Sequence, residues 1–252
     1  MGKLLPPDLD ERVTEAVKRF WSTRGSVTEG SQAGGRGSVI SGKNMDGIGE
    51  LIRHVAVHCG CPDESVITAG KRALTLPGYF RPTKMWDALV IHRGHLLAAF
   101  ELKSQVGSFG NNFNNRTEES LGSSLDLWTA HREQAFALRN SKAHAGGKDL
   151  GIRPFVGFLM LLEHVDRSTR VVKAEEPHFK VFPDFQNTSY LDRYRLLCEK
   201  LVAENLYTSA CLIASPQGAH GPYTSPAPSV SPKTFFASFA GALSGALAAM
   251  GE

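Results

Sequence analysis

Met85-Trp-Asp-Ala-Leu-Val-Ile-His92, then Arg93-Gly-His95, then Leu96-Leu-Ala-Ala-Phe-Glu-Leu-Lys103 is the stretch that decides the fold. Two apolar runs of strand character flank a short glycine-containing break, which is the pattern of a β-hairpin. With Arg93, Gly94 and His95 as the loop, His92 pairs with Leu96, and counting outward sets Asp87 opposite Glu101. Directly opposed residues share a face with Cβ atoms about 5 Å apart. Two facing carboxylates repel unless a cation lies between them, and a hard divalent ion with oxygen ligands suits that geometry. Lys103 lies two residues beyond Glu101, so the strand period of two brings its ammonium to the same face. Phe100 and Leu102 point the other way, toward a core, and the backbone carbonyl of Leu102 offers a further ligand.

Asp, Glu and Lys on one edge suit phosphodiester hydrolysis. The ion polarises a phosphoryl oxygen and acidifies a water, while the lysine orients the nucleophile or stabilises developing negative charge. A bland reading competes. Strand ends are solvated, opposite charges on one face favour each other, and a bulge or longer loop would shift the register.

Working outward, Asp10 to Trp21 places Val13, Ala16, Val17, Phe20 and Trp21 at helical spacing, ending before Gly25. Residues 26–43 are polar and glycine-rich and read as a flexible arm. Asp46 to His58 predicts a second helix, burying Ile48, Leu51, Ile52, Val55 and Ala56. A short Val66-Ile67-Thr68 strand and a loop through Pro77, Gly78 and Pro82 lead to the hairpin. After Gln105 the reading is an asparagine-rich loop, then a helix from about Thr117 to Asn140 with Leu121, Leu125, Trp128 and Phe136 inward. Pro154–Leu162 and Ala210–Ala214 read as buried strands and Tyr190–Leu206 as an amphipathic helix. Residues 1–215 are thus expected to form the main domain, 216–234 a Pro/Ser-rich linker, and 235–252 a helix for packing or dimer contact, too short for a membrane span. The architecture expected is α/β, a mixed central sheet flanked by helices.

Composition narrows the class. With 42% hydrophobic and 21% charged residues the chain is an ordinary folded protein rather than a disordered or membrane one. At 252 residues it can bury roughly three quarters of its unfolded surface, so any metal serves chemistry rather than folding. The net charge of +3 is too small to announce nucleic-acid binding unaided. The N-terminus lacks the pattern of a secretory signal, so a cytoplasmic protein with thiol cysteines is expected. His54, His58, Cys59 and Cys61 lack a second ligand pair at zinc-site spacing and read as helix-end residues and thiols.

Asp87, thirteen residues, then Glu101-Leu-Lys103 resembles the metal-binding signature of the PD-(D/E)xK nuclease superfamily, with Trp86 standing where that signature has proline. Pro77-Gly-Tyr-Phe-Arg-Pro-Thr-Lys-Met-Trp-Asp87, Phe100 through Glu119 and Asp126-Leu-Trp128 resemble the XhoI family of type II restriction endonucleases. The likeness continues through Glu175-Glu-Pro-His-Phe179 and Arg193-Tyr-Arg-Leu-Leu-Cys198. The resemblance implies a PD-(D/E)xK-like fold and a homodimer that cuts both strands of duplex DNA at CTCGAG with Mg2+, leaving 5′-phosphate ends. It also implies a cognate DNA methyltransferase as functional partner. A helix-borne acid often assists such sites, and Glu50 or Asp46 is the candidate, though either also reads as a solvated or capping acid.

For DNA contact, Asn111, Asn112, Asn114, Asn115 and Arg116 follow the catalytic strand, with Gln105 just ahead of them. Asparagine pairs with adenine and arginine with guanine in the major groove, but asparagines in a turn also satisfy their own backbone. Gln32, Arg36 and Lys43 lie in the arm, and Arg81 and Lys84 precede Asp87; phosphate contact and solvated surface charge remain open for each. Two other functions stay open: a sequence-specific DNA-binding protein that has lost cleavage, and a repair or structure-selective nuclease of the same superfamily.

Overall fold

The computed structural model describes residues 4–28, 44–142 and 149–252. The elements in chain order are α1 (Leu9–Thr28), α2 (Asp46–His58), β1 (Val66–Ile67), β2 (Thr75–Pro77), β3 (Thr83–Met85), β4 (Ala88–His92), β5 (His95–Gln105), α3 (Phe109–Arg132), β6 (Phe155–Glu163), the short α4 (Asp166–Thr169), α5 (Tyr190–Ala203), β7 (Ser209–Ser215) and α6 (Pro232–Ala249). A five-stranded sheet runs β1-β4-β5-β6-β7, and β2 pairs with β3 in a separate small ribbon. The β1/β4 and β4/β5 pairs are antiparallel, and β5/β6 and β6/β7 are parallel, so the expected mixed sheet is present.

Parallel strands buried on both faces carry near-continuous apolar sequence. β6, Phe-Val-Gly-Phe-Leu-Met-Leu-Leu, and β7 follow that rule, and their alternate residues feed two separate cores. One face gathers Phe100, Leu102, Phe155, Leu159, Leu161, Cys211 and Ile213 under α1, α2 and α6. The other gathers Leu89, Ala99, Val156, Phe158, Met160 and Leu212 under α3 and α5. Gly157 lets the rings of the first face close up: a Cβ there would lie 2.8 Å from each of Phe100, Phe155 and Phe235.

α2 matches its expected span. α1 runs on through Gly25 to Thr28, beyond the expected stop; the rest of the expected arm, with Gln32, Arg36 and Lys43, lies outside the described residues. The hairpin turn is tighter than expected. Arg93 and Gly94 alone form it, both at positive φ (47° and 81°) as a two-residue type I′ turn requires, and His92 pairs with His95. A bulge between Val90 and Ile91 then restores the register, so Val90 pairs with Ala98 and Ala88 with Phe100.

The asparagine-rich segment is not a loop. It forms the first turns of α3, which starts eight residues earlier than expected and stops at Arg132 rather than Asn140. Phe109 and Phe113, four apart, pack on Tyr190 and Tyr194 of α5 and hold those turns helical. In consequence Leu121 and Leu125 are exposed, not inward, while Ser120, Ser124, Leu127 and Trp128 face the core; Phe136 lies beyond the helix. The stretch expected as a plain loop around Pro77 and Pro82 is the β2–β3 ribbon.

The segment after β7 is tied back to the sheet by an antiparallel bridge between Ala214 and Thr224. α6 then inserts Phe235, Phe236, Phe239, Leu243 and Leu247 into the first core. Its end closes on the hairpin turn, where Glu252 Oε1 lies 2.9 Å from His92 Nε2 and 2.7 Å from Arg93 Nη2.

Candidate active site

Asp87 is the residue before β4, and its N–H donates at 3.1 Å to the carbonyl of Phe100, the residue that already pairs with Ala88, so the regular β4–β5 ladder ends at Ala88. Alternation along β5 turns Glu101 and Lys103, with Ala99, toward one face, and the Asp87 carboxylate lies near enough to feel the charges of both. Asp87 Oδ2 accepts from the Leu102 N–H at 2.7 Å, which fixes the carboxylate across the hairpin. Glu101 is only 3% exposed, and both of its oxygens are held: Lys103 Nζ lies 2.5 Å from Oε1 and Lys84 Nζ 2.6 Å from Oε2.

Lys84 reaches this point from β3, its ammonium 4.4 Å from the centre of the Trp86 ring. Placed among the phosphate-contact candidates in sequence, it is an integral part of the carboxylate cluster in space. Glu119 on α3, which sequence reasoning did not single out, lies 3.5 Å from Lys103 and 2.6 Å from Arg116. The missed signal was the Arg116-x-x-Glu119 helical spacing, hidden by reading the segment as a loop.

The charges follow from this packing. Burial foremost, then the neighbouring Glu101, raises the Asp87 carboxyl to about 6. Burial also works to raise Glu101, but Lys103 and Lys84 outweigh it and hold that carboxyl below its ordinary range. Lys103 is depressed by burial, yet Glu101, Asp87 and Glu119 together raise it, so it remains an ammonium. Burial and then the charges of Glu101 and Asp87 push the Tyr207 phenol far up, leaving it a neutral donor to the Ser120 carbonyl at 3.0 Å.

Asp87, Glu101 and the Leu102 carbonyl make an all-oxygen donor set of the kind magnesium and calcium take. Burial first and the neighbouring Glu101 charge second raise Asp87, and a divalent cation offsets both costs, so the residues fit such an ion. Among the described residues no cluster of three or more His, Cys, Asp or Glu is suited to hold a metal, so remaining positions would fall to backbone, water and substrate oxygens.

The other sequence candidates are dispersed. Glu50 is exposed and lines a groove of about 760 Å³ between α1 and α2, among whose lining residues Asp87, Glu101 and Lys103 do not appear; Asp46 is exposed at the start of α2. Asn111, Asn114 and Asn115 are exposed along the first turns of α3 and Asn112 is half-buried. Gln105 is buried, its amide donating to the Gly107 carbonyl in the turn that leads into α3. Arg81 donates from Nε to Asp126 Oδ2 at 2.7 Å. His54 is paired with Asp8 at 3.0 Å.

A family model described as Restriction endonuclease XhoI matches residues 24–225. The type II restriction enzyme BstVI of Geobacillus stearothermophilus is 50% identical over 206 residues, covering 79% of this chain and 86% of that enzyme. The type II restriction enzyme XhoI of Xanthomonas vasicola is 45% identical, covering 77% and 76%, and AbrI of Azospirillum brasilense is 42% identical, covering 69% and 75%. No solved structure matches significantly.

Proposed function

Since this chain belongs to the XhoI restriction endonuclease family and is a type II site-specific deoxyribonuclease, we propose that it hydrolyses duplex DNA at CTCGAG with Mg2+, as a homodimer whose subunits each cut one strand and leave 5′-phosphate ends. The observation that carries the chemistry is the cluster in which Asp87 and Glu101 stand beside Lys103. A palindrome presents two equivalent half-sites, which a twofold dimer matches. A cognate methyltransferase would protect the same sequence in the host's own DNA. Among the described residues no helix is long and apolar enough to cross a membrane.

Type II restriction enzymes generally use divalent ions, and here Asp87, Glu101 and the Leu102 carbonyl would hold one. When bound, the ion supplies positive charge against the phosphoryl oxygens and acidity toward an attacking water. Asp87 is kept aimed by the Leu102 N–H, at 2.7 Å. Lys103, held as an ammonium against Glu101, orients the nucleophile and counters the negative charge that develops on the phosphorane-like transition state. Lys84 neutralises Glu101 from the opposite side and stands ready to accompany the scissile phosphate. The exposed asparagines of α3, with Arg116, present donors and acceptors suited to base edges in the major groove.

The test is digestion of a plasmid of known sequence, with and without Mg2+, followed by mapping of the ends. Cuts confined to CTCGAG with 5′-phosphate ends support the reading. DNA that is retarded but never cut, or cuts scattered without regard to sequence, would overturn it.

A further inference from the structure

Four cations and no anion lie between Glu64 and Asp87: Lys71, Arg72, Arg81 and Lys84. This segment is the β2–β3 ribbon and its approaches: within the ribbon Arg81 and Lys84 are paired with Asp126 and Glu101, and on the approach to β2 Lys71 and Arg72 are exposed. Its tip carries Tyr79 and Phe80, 53% and 66% exposed, their rings set edge to face with centroids 4.9 Å apart. Apolar rings so exposed contribute nothing to the core.

The tip is nevertheless firmly held. Asp126 on α3, 2% exposed, gives its whole carboxylate to it: Oδ1 accepts from the N–H groups of Tyr79 at 2.7 Å and Phe80 at 2.9 Å, and Oδ2 accepts from Arg81 Nε at 2.7 Å. Gly78 makes the approach feasible, because a Cβ there would lie 2.7 Å from Asp126 Oδ2 and 2.6 Å from the Arg81 carbonyl. A buried carboxylate fully spent on a surface tip fixes the direction in which two rings project. Rings fixed before binding lose little conformational freedom when they are covered.

We infer that the Tyr79-Phe80 tip is a DNA-probing wedge, its rings packing against sugars or bases beside the scissile phosphate while Lys71 and Arg72 track the backbone, with Asp126 as its positioning residue. The inference rests on the cleavage reading above. Two observations select duplex DNA as the occupant. The ribbon is continuous with the carboxylate cluster through Lys84, and the exposed Lys71 and Arg72 on its approach offer positive charge to a polyanion. Apolar side chains pressed into a groove beside basic ones are a recurrent way to unstack a base step.

Binding of a short CTCGAG duplex, with calcium in place of magnesium to withhold cleavage, tests the wedge by fluorescence anisotropy across a range of salt. Tyr79→Ala/Phe80→Ala should weaken binding about tenfold or more without changing the salt slope, the thermal stability or the sedimentation of the DNA-free protein. Phe80→Leu should recover part of the loss, and 2-aminopurine placed at successive steps should brighten on binding the wild type but not the double variant. Double-variant affinity within twofold of wild type, or a shift of the DNA-free protein toward monomer, overturns the inference. If the wild type cuts CTCGAG and the double variant binds normally, only the wedge fails; if the wild type neither binds nor cuts, the cleavage reading fails with it.

Discussion

Phe100 and Glu101 are adjacent on β5 and about equally hidden from solvent, yet the two sides of the strand are stabilised in opposite ways. Phe100 meets Phe155 and Phe239 ring to ring at 5.5 and 4.9 Å, under a helix contributed by the far end of the chain. Glu101 meets two ammonium groups within 2.6 Å and a second carboxylate across the hairpin. Burial alone therefore says little about what a residue does. The apolar side gains from every neighbour it touches, whereas the charged side holds repulsion that only cations relieve. The first side should govern stability and the second catalysis.

The comparison breaks most visibly at the charged side. Glu101→Ala and Lys103→Met should each lower single-turnover cleavage by at least about a thousandfold, the upper end of what loss of one preorganised charge-stabilising group costs. Both variants should still retard a CTCGAG duplex. A variant that cuts within tenfold of wild type would remove that residue from the chemistry. On the apolar side, Phe239→Ala should cost about 3–5 kcal/mol in urea unfolding, while single-turnover cleavage well below the melting temperature stays within a few-fold of wild type. A large loss of cleavage by this variant while it is still folded would mean that the two sides are not separable.

How far the sequence displays this division depends on where tertiary contacts overrule local pattern. The helix α2 and strands β6 and β7 are plain from apolar periodicity. The approach of Asp87 to Glu101 is legible too, but for a partly mistaken reason: the turn is one residue shorter than a Gly-centred reading suggests, and the bulge at Val90/Ile91 restores the count only as far as Ala88 and Phe100, the last pair of the ladder. Neither feature leaves a distinct mark in an apolar run. The asparagine run has poor helix propensity, and only the packing of Phe109 and Phe113 on α5 makes it helical. Once that phase is known, the outward position of Leu121 and Leu125 follows. Lys84 and Glu119 joined the cluster unannounced, because they come from a ribbon and a helix whose distance from β5 no local spacing encodes.

A finer probe of the apolar side is Gly157→Ala. The added methyl group would press on three rings at 2.8 Å, and overpacking of this kind costs about 1–3 kcal/mol. Because Gly157 pairs with Phe100 in the β5–β6 ladder, displacement of that strand could reach the catalytic face. A fall in stability with cleavage unchanged keeps the two sides independent. A matching fall in cleavage would show that β5 transmits the strain.

The smallest expected effect has the opposite sign. Asp87 is raised from 3.8 to about 6, first by burial and then by Glu101. A carboxyl that holds its proton more tightly when folded leaves the native state most stable at low pH. That stability is lost as the pH climbs from about 4 through 6, and it stays lost at neutral pH. In EDTA at pH 7.5, Asp87→Asn should therefore stabilise the protein by about 1 kcal/mol while abolishing cleavage. The gain should shrink toward zero near pH 4, where the wild-type carboxyl is itself neutral. Urea unfolding of both proteins between pH 4 and 8 measures the difference directly. A destabilised Asp87→Asn, or a gain that does not vary with pH, would mean that the charged side carries neither the burial cost nor the repulsion that a cation would relieve, and its contrast with the apolar side would lose its physical basis.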